Sequence, residues 1–193
     1  MKKALFLCIL FLIMAGSANA DLVQWNAADG GNDHWYEVVR YDLEVGDYLP
    51  WEIADRTALF ADGYLATITS KAENDFVWGR ASLDVNPAGL WLGGYQTDKN
   101  AEPDGHWAWS NGEAWGYTNW ATSPFNEPNN GMLGTQDYLH FWPSDGKWDD
   151  MENGRYMAGF IAEYDSVPEP GTLLLLGIGL FGLAGISRRR FKK

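Results

Sequence analysis

Apolar residues recur with different spacings along this chain, and each spacing predicts a different kind of element. His34-Trp35-Tyr36 followed by Val38 to Leu43 crowds aromatic and β-branched side chains between turn formers, which predicts an early strand. Trp51, Ala54, Ala58 and Ala61 then recur at three- and four-residue steps, predicting a helix over 51–61 that Asp62-Gly63 stops. Leu65 to Thr69 reads as a short strand. Ser70 with Glu73 has the spacing of a capping box opening a second helix to about Ala81.

Beyond Pro87 the texture changes. Leu90-Trp91-Leu92 predicts a buried strand, and Gly93-Gly94 leaves room for another backbone to approach closely. From there to Asn126 the chain is rich in Gly, Asn, Asp and Trp without a sustained period, which predicts long loops held by aromatic burial. Tyr138 to Trp142 and Gly159 to Tyr164 are the remaining predicted strands, with a turn over Ser144 to Lys147. Both predicted helices lie in the first half, and no internal repeat is evident.

The two ends differ from this middle. Residues 1–20 have the form of a signal peptide: Lys2-Lys3, an apolar stretch from Ala4 to Met14, then Ala18-Asn19-Ala20 as the cleavage site. Gly171 to Ser187 is an apolar, glycine-studded run closed by Arg188-Arg189-Arg190-Phe191-Lys192-Lys193. Its seventeen residues only just span a bilayer core as a helix, so a buried soluble helix is the alternative; the basic terminus favours a transmembrane anchor with that end in the cytoplasm. These readings give residues 21–166 as the folded domain.

Charge and cysteine narrow the function. All 26 Asp and Glu fall between Asp21 and Glu169, against seven of the 14 Lys and Arg, a net of −19 for that stretch. Such a surface repels nucleic acid and favours cations. The one cysteine, Cys8, lies in the signal peptide, leaving the mature chain without a thiol or disulfide.

Chemistry concentrates in two triplets, Glu127-Pro128-Asn129 and Trp148-Asp149-Asp150. Both offer hard oxygen ligands, and calcium takes six to eight of these. Positions that the protein leaves open are available to water or a sugar hydroxyl. Asn129-Asn130-Gly131 also has the composition of a plain turn.

The order of parts from His34 to Tyr164 resembles the C-type lectin-like domain. Trp91-Leu92-Gly93-Gly94, Trp107 to Gly112 and Thr118-Asn119-Trp120 are similar to its core-strand and long-loop motifs, and the two triplets to its calcium-site segments. The resemblance implies an α+β fold, two helices flanking small antiparallel sheets with a long irregular loop region, and a cis bond before Pro128. It implies a Ca2+ ion held by Glu127, Asn129, Gln136, Asp149 and Asp150. Glu127, Asn129, Gln136 and Asp149 would also meet two vicinal hydroxyls of a mannose-type carbohydrate. Gln136 stands where family members commonly have glutamate and Asp149 where they have asparagine, so an acid and an amide exchange places; a one-residue slip would make Asp137 the ligand. The positions resembling the family's cysteines hold Ala58, Tyr138 and Ala162.

Val167-Pro168-Glu169-Pro170, with the apolar span and arginine cluster after it, resembles the PEP-CTERM sorting signal. This implies export, anchoring in the inner membrane by the C-terminus, and processing by a sorting transpeptidase of the exosortase type. The destination would be the cell envelope or an extracellular polysaccharide matrix.

Other readings bear on the same residues. The eleven tryptophans are mostly core material, with Trp115 and Trp142 as those that could touch a ligand. His34, His106 and His140 lack zinc-ligand spacing. The carboxylates could serve a glycoside hydrolase, but no nucleophile arrangement accompanies them and the sequence reads as a non-enzyme. A structural envelope protein that uses the fold for protein contacts is the competing class.

Overall fold

The computed structural model describes residues 22–41, 49–81, 89–98, 100–103, 105–142, 144–154 and 157–167. Asp21–Ser166 forms one compact unit. Among the described residues no helix is long and apolar enough to cross a membrane. The predicted signal peptide, the span at 171–187 and Pro168 to Pro170 of the sorting motif lie outside them.

Helix α1, Trp51–Phe60, buries Trp51, Ala54 and Ala58, the stripe that its periodicity predicts. Its first amide is capped from far away, Trp51 N–H donating to Asn153 Oδ1 at 2.9 Å. Helix α2, Lys71–Ala81, starts at Ser70, whose Oγ accepts the Glu73 amide at 3.1 Å. The reciprocal arm of the expected capping box goes elsewhere: Glu73 Oε2 accepts from Thr69 N–H at 2.7 Å and Thr69 Oγ1 at 2.9 Å.

Strands β1 (Val23–Gln24), β2 (Trp35–Arg40), β3 (Tyr64–Leu65), β4 (Leu90–Gln96), β5 (Trp107–Trp109), β6 (Gln136–Phe141), β7 (Trp148–Glu152) and β8 (Gly159–Tyr164) complete the domain. They join into one sheet ordered β1-β2-β8-β4-β6-β7, with β3 on β8 and β5 on β4. The pairing is antiparallel except that Leu90-Trp91 runs parallel to Gly159-Phe160, which welds the expected small sheets into a continuous mixed one. Gly93 lets β4 approach closely, since a Cβ there would lie 2.6 Å from the Leu65 carbonyl oxygen.

The predicted strand over 65–69 shortens to Tyr64–Leu65. Its later amides find other acceptors. Ala66 N–H donates to Ile161 O at 2.8 Å, and Thr67 N–H to Glu163 Oε2 at 2.8 Å. Glu73 and Glu163 thus serve as buried acceptors, being 2% and 1% exposed. Between them stands Tyr36, its hydroxyl 2.6 Å from Glu73 Oε1 and 3.1 Å from Glu163 Oε1. Asn32 Nδ2 donates to Glu73 at 3.0 Å, and His34 Nδ1 meets Glu163 at 2.7 Å.

The long-loop half carries little regular structure and is packed by rings. Trp107, Trp109, Trp115, Trp120 and Trp148 contact one another with centroid separations of 4.6–6.3 Å. Trp115 therefore belongs to this cluster, while Trp142 lies outside both core clusters. A second core holds Ala58 and Ala162, with Tyr138 packed against it between Trp51 and Trp91. Small side chains and an aromatic thus fill the space at these positions.

Candidate metal centre

The two triplets meet because a short backbone splice ties their segments together. Trp148 N–H donates to Asn119 O at 2.9 Å, Ala121 N–H to Trp148 O at 2.8 Å, and Glu127 N–H to Ala121 O at 2.8 Å. Trp148 is fully buried, so the strand that follows starts from a fixed point. The Glu127-Pro128 bond is cis, as expected.

This brings Glu127, Asp149 and Asp150 together, one carboxylate oxygen from each lying within 4.8 Å of the others. Asp149 and Asp150 are buried, at 4% and 0% exposure. The Asp150 carboxylate accepts Asn129 N–H at 2.9 Å and Asn130 N–H at 2.7 Å, so one acid also shapes the loop that carries Glu127. Asn129 is exposed, and its Oδ1 accepts Gly131 N–H at 2.7 Å. The Gln136 side chain turns toward Met151, with Nε2 3.7 Å from the sulfur, and its Oε1 lies against Gly131. Asp137 is buried in a separate groove of about 560 Å³ that Glu52 and Glu152 also line.

Three acids in so small a volume repel one another and lose hydration. Burial, then Asp149 and Asp150, push the Glu127 carboxyl up to about 8. Burial also raises Asp150, against the two amides that hold its charged form. Glu127 Oε2 is buried with no hydrogen-bond partner. Among the described residues no Lys or Arg pairs with the three acids.

One partner could not be read from the sequence. His140 lies directly across the β6/β7 pair from Asp149, and its Nε2 is 3.0 Å from Asp149 Oδ2. Its Nδ1 faces Phe141 O at 2.8 Å, and a carbonyl only accepts, so Nδ1 carries hydrogen. The Nε2 contact to Asp149 Oδ2 is then a hydrogen bond only with a second proton, carried by the imidazole or by the carboxyl, and it engages one oxygen of Asp149. Strand alternation alone signals such a pairing once the register is known.

The donor set fits calcium. Oxygens bound at 2.3–2.6 Å from one ion lie no more than about 5 Å apart, and the acids already satisfy this. An unpartnered buried carboxylate oxygen beside two further acids is a position that a hard cation completes.

Comparison with known proteins agrees with this fold. Lectin BRA-3 of Megabalanus rosa is 33% identical over 128 residues, covering 66% of this chain and 68% of that protein. The chain belongs to the C-type lectin family. The crystal structure of the C-type lectin CEL-I from Cucumaria echinata superposes with a TM-score of 0.52 at 22% identity, over 69% of this chain and 91% of that one. A calcium-independent type II antifreeze protein superposes with a TM-score of 0.54 at 18% identity, over 76% and 93%. Both structures show the C-type lectin fold. Residues 166–190 match the PEP-CTERM protein-sorting motif, which marks this C-type lectin for export.

Proposed function

We propose that this exported lectin binds one calcium ion through Glu127, Asp149 and Asp150, with Asn129 and Gln136 completing the shell. The ion would present open coordination positions to vicinal hydroxyls of a mannose-type sugar in envelope or matrix polysaccharide. The observation that carries the reading is the buried, unpartnered Glu127 Oε2 beside two further acids.

The chain's own residues have separable duties. Asp150 fixes the ligand loop through the amides of Asn129 and Asn130. His140 orients Asp149. Glu127 and Asp149 would accept from sugar hydroxyls while Asn129 donates, since a carboxylate only accepts and an amide does both. Gln136 requires a side-chain rotation away from Met151 to join them. When bound, calcium supplies charge neutralisation and the last contacts to the hydroxyls.

A hydrolase reading fits the geometry poorly. A glycosidase places its two carboxyls about 5–10 Å apart on either side of the scissile bond. Here three acids converge on one point, and Asp150 is wholly buried. The competing class is a protein-contact role, for which the fold would need no ion.

Calcium titration by calorimetry, followed by a glycan array with and without chelator, tests the proposal. Uptake at millimolar calcium or below, with sugar binding abolished by chelation, is expected. Absence of uptake removes the calcium reading, and binding that survives chelation on protein partners alone favours the contact role. Asp150→Ala should cost at least a hundredfold in calcium affinity, roughly the loss of about 3 kcal/mol.

A further inference from the structure

A second concavity is built on the same paired segments as the metal centre. It measures about 430 Å³, with Trp78 from α2 and Tyr117 from the long loop among its lining residues, a size within the usual range of ligand clefts. Both rings are held in place. Trp78 leans on Phe141 with centroids 5.4 Å apart, and a Cβ added at Gly146 would fall 2.4 Å from its indole. Tyr117 packs edge-on against Trp148 at 5.5 Å.

The base of the concavity is fixed as well. Asn74 Nδ2 and Asn119 Nδ2 both donate to the Gly146 carbonyl, at 3.2 and 3.0 Å. Lys147 Nζ donates to Asn119 Oδ1 at 2.7 Å. A ligand entering such a site meets groups whose freedom is already spent, which lowers the entropic cost of binding.

The chemistry of the lining selects among ligands. Neither the Trp78 indole N–H nor the Tyr117 hydroxyl is bonded to another described residue, so each half-buried ring brings apolar carbon and a free polar group to the lining. Lys71 and Lys147 balance Asp75 and Asp145. The groove is therefore neutral within a region of net charge −19, and holds two of its seven basic residues. This recruits neither a cation nor a polyanion, whereas a pyranose ring has the matching form of an apolar C–H face inside a polar rim.

Position completes the argument. Lys147 precedes Asp150 by three residues, about 10 Å of extended chain. The splice from Asn119 through Trp148 and Ala121 to Glu127 ties the two sites to one framework. We propose that the groove is a second, calcium-independent carbohydrate subsite, packing a neutral hexose of an oligosaccharide against Trp78 and Tyr117 while another unit of that chain occupies the metal centre. The joint occupancy rests on the calcium reading above; the groove itself needs no ion.

The test uses the full chain, with mannose and α-linked mannotetraose as probes, by calorimetry and amide NMR. With calcium, mannotetraose should bind at least about tenfold more tightly than mannose. Trp78→Ala and, separately, Tyr117→Ala should erase that gain and leave mannose affinity unchanged, which also reports that the variants are folded; if one variant unfolds, the other carries the result. With chelator, mannotetraose should still perturb the amides of Tyr117 and Lys147. The inference is overturned if wild type shows no gain with chain length, if both variants keep it, or if chelation abolishes the groove perturbation. Loss of calcium-dependent mannose binding with the chelated perturbation intact removes the calcium reading and leaves the subsite standing.

Discussion

Glu73 with Glu163, and Glu127 with Asp149 and Asp150, are both groups of carboxylates taken out of water, yet only the first is fully supplied with donors. Tyr36, Asn32, His34, Thr67 and Thr69 all aim hydrogen at the Glu73–Glu163 pair. The second group has two backbone amides on Asp150, His140 on Asp149, and a bare oxygen on Glu127. The same physics of desolvation therefore yields a structural rivet in one place and an appetite for a cation in the other.

The largest effect that separates them should come from deleting a carboxylate. Glu73→Ala orphans the Thr69 amide and loosens Tyr36 and Asn32, at a cost of about 4 kcal/mol in urea denaturation. Tolerance of that change would break the contrast. Calcium should act next in size, since a hundredfold excess over Kd raises stability by about 2.7 kcal/mol in thermal or chemical unfolding. Glu127→Gln should lose this increment, whereas a variant of the first pair that still folds should keep it.

Proton linkage gives a smaller signal. The hydrogen bond with Glu163 raises His34 although burial opposes it, and burial raises Glu163. The folded state thus binds more protons than the unfolded one. The His34 contribution is whole below its ordinary 6.5 and fades as pH climbs through its higher folded value. With saturating calcium, which silences the Glu127 response, denaturation at pH 6 and pH 8.5 should differ by under about 1 kcal/mol in favour of pH 6, because His34 is partly in water. His34→Gln should flatten the difference. Smallest of all, Glu127→Gln without calcium should leave the melting temperature unchanged or raise it by a degree or two, as one of three repelling acids is gone.

The acid cluster was legible because Glu127, Asp149 and Asp150 stand in two compact triplets, and side-chain identity at close spacing survives without coordinates. Glu73 and Glu163 were not legible as a pair. Their shared partner Tyr36 stands 37 residues from one and 127 from the other. Local pattern assigned Glu73 to a capping box, and a neighbouring threonine won its side chain instead. Both helices followed from periodicity, since α1 buries the stripe it displays. The parallel join of β4 to β8 could not follow, because it depends on two segments far apart in sequence meeting at Gly159.

With alanine at 58 and 162 and tyrosine at 138 packed into one core, and a single cysteine in the whole sequence, no disulfide within the chain holds this fold together. Its folding therefore requires no oxidant. Treatment with dithiothreitol should leave its circular dichroism spectrum and its melting temperature unchanged.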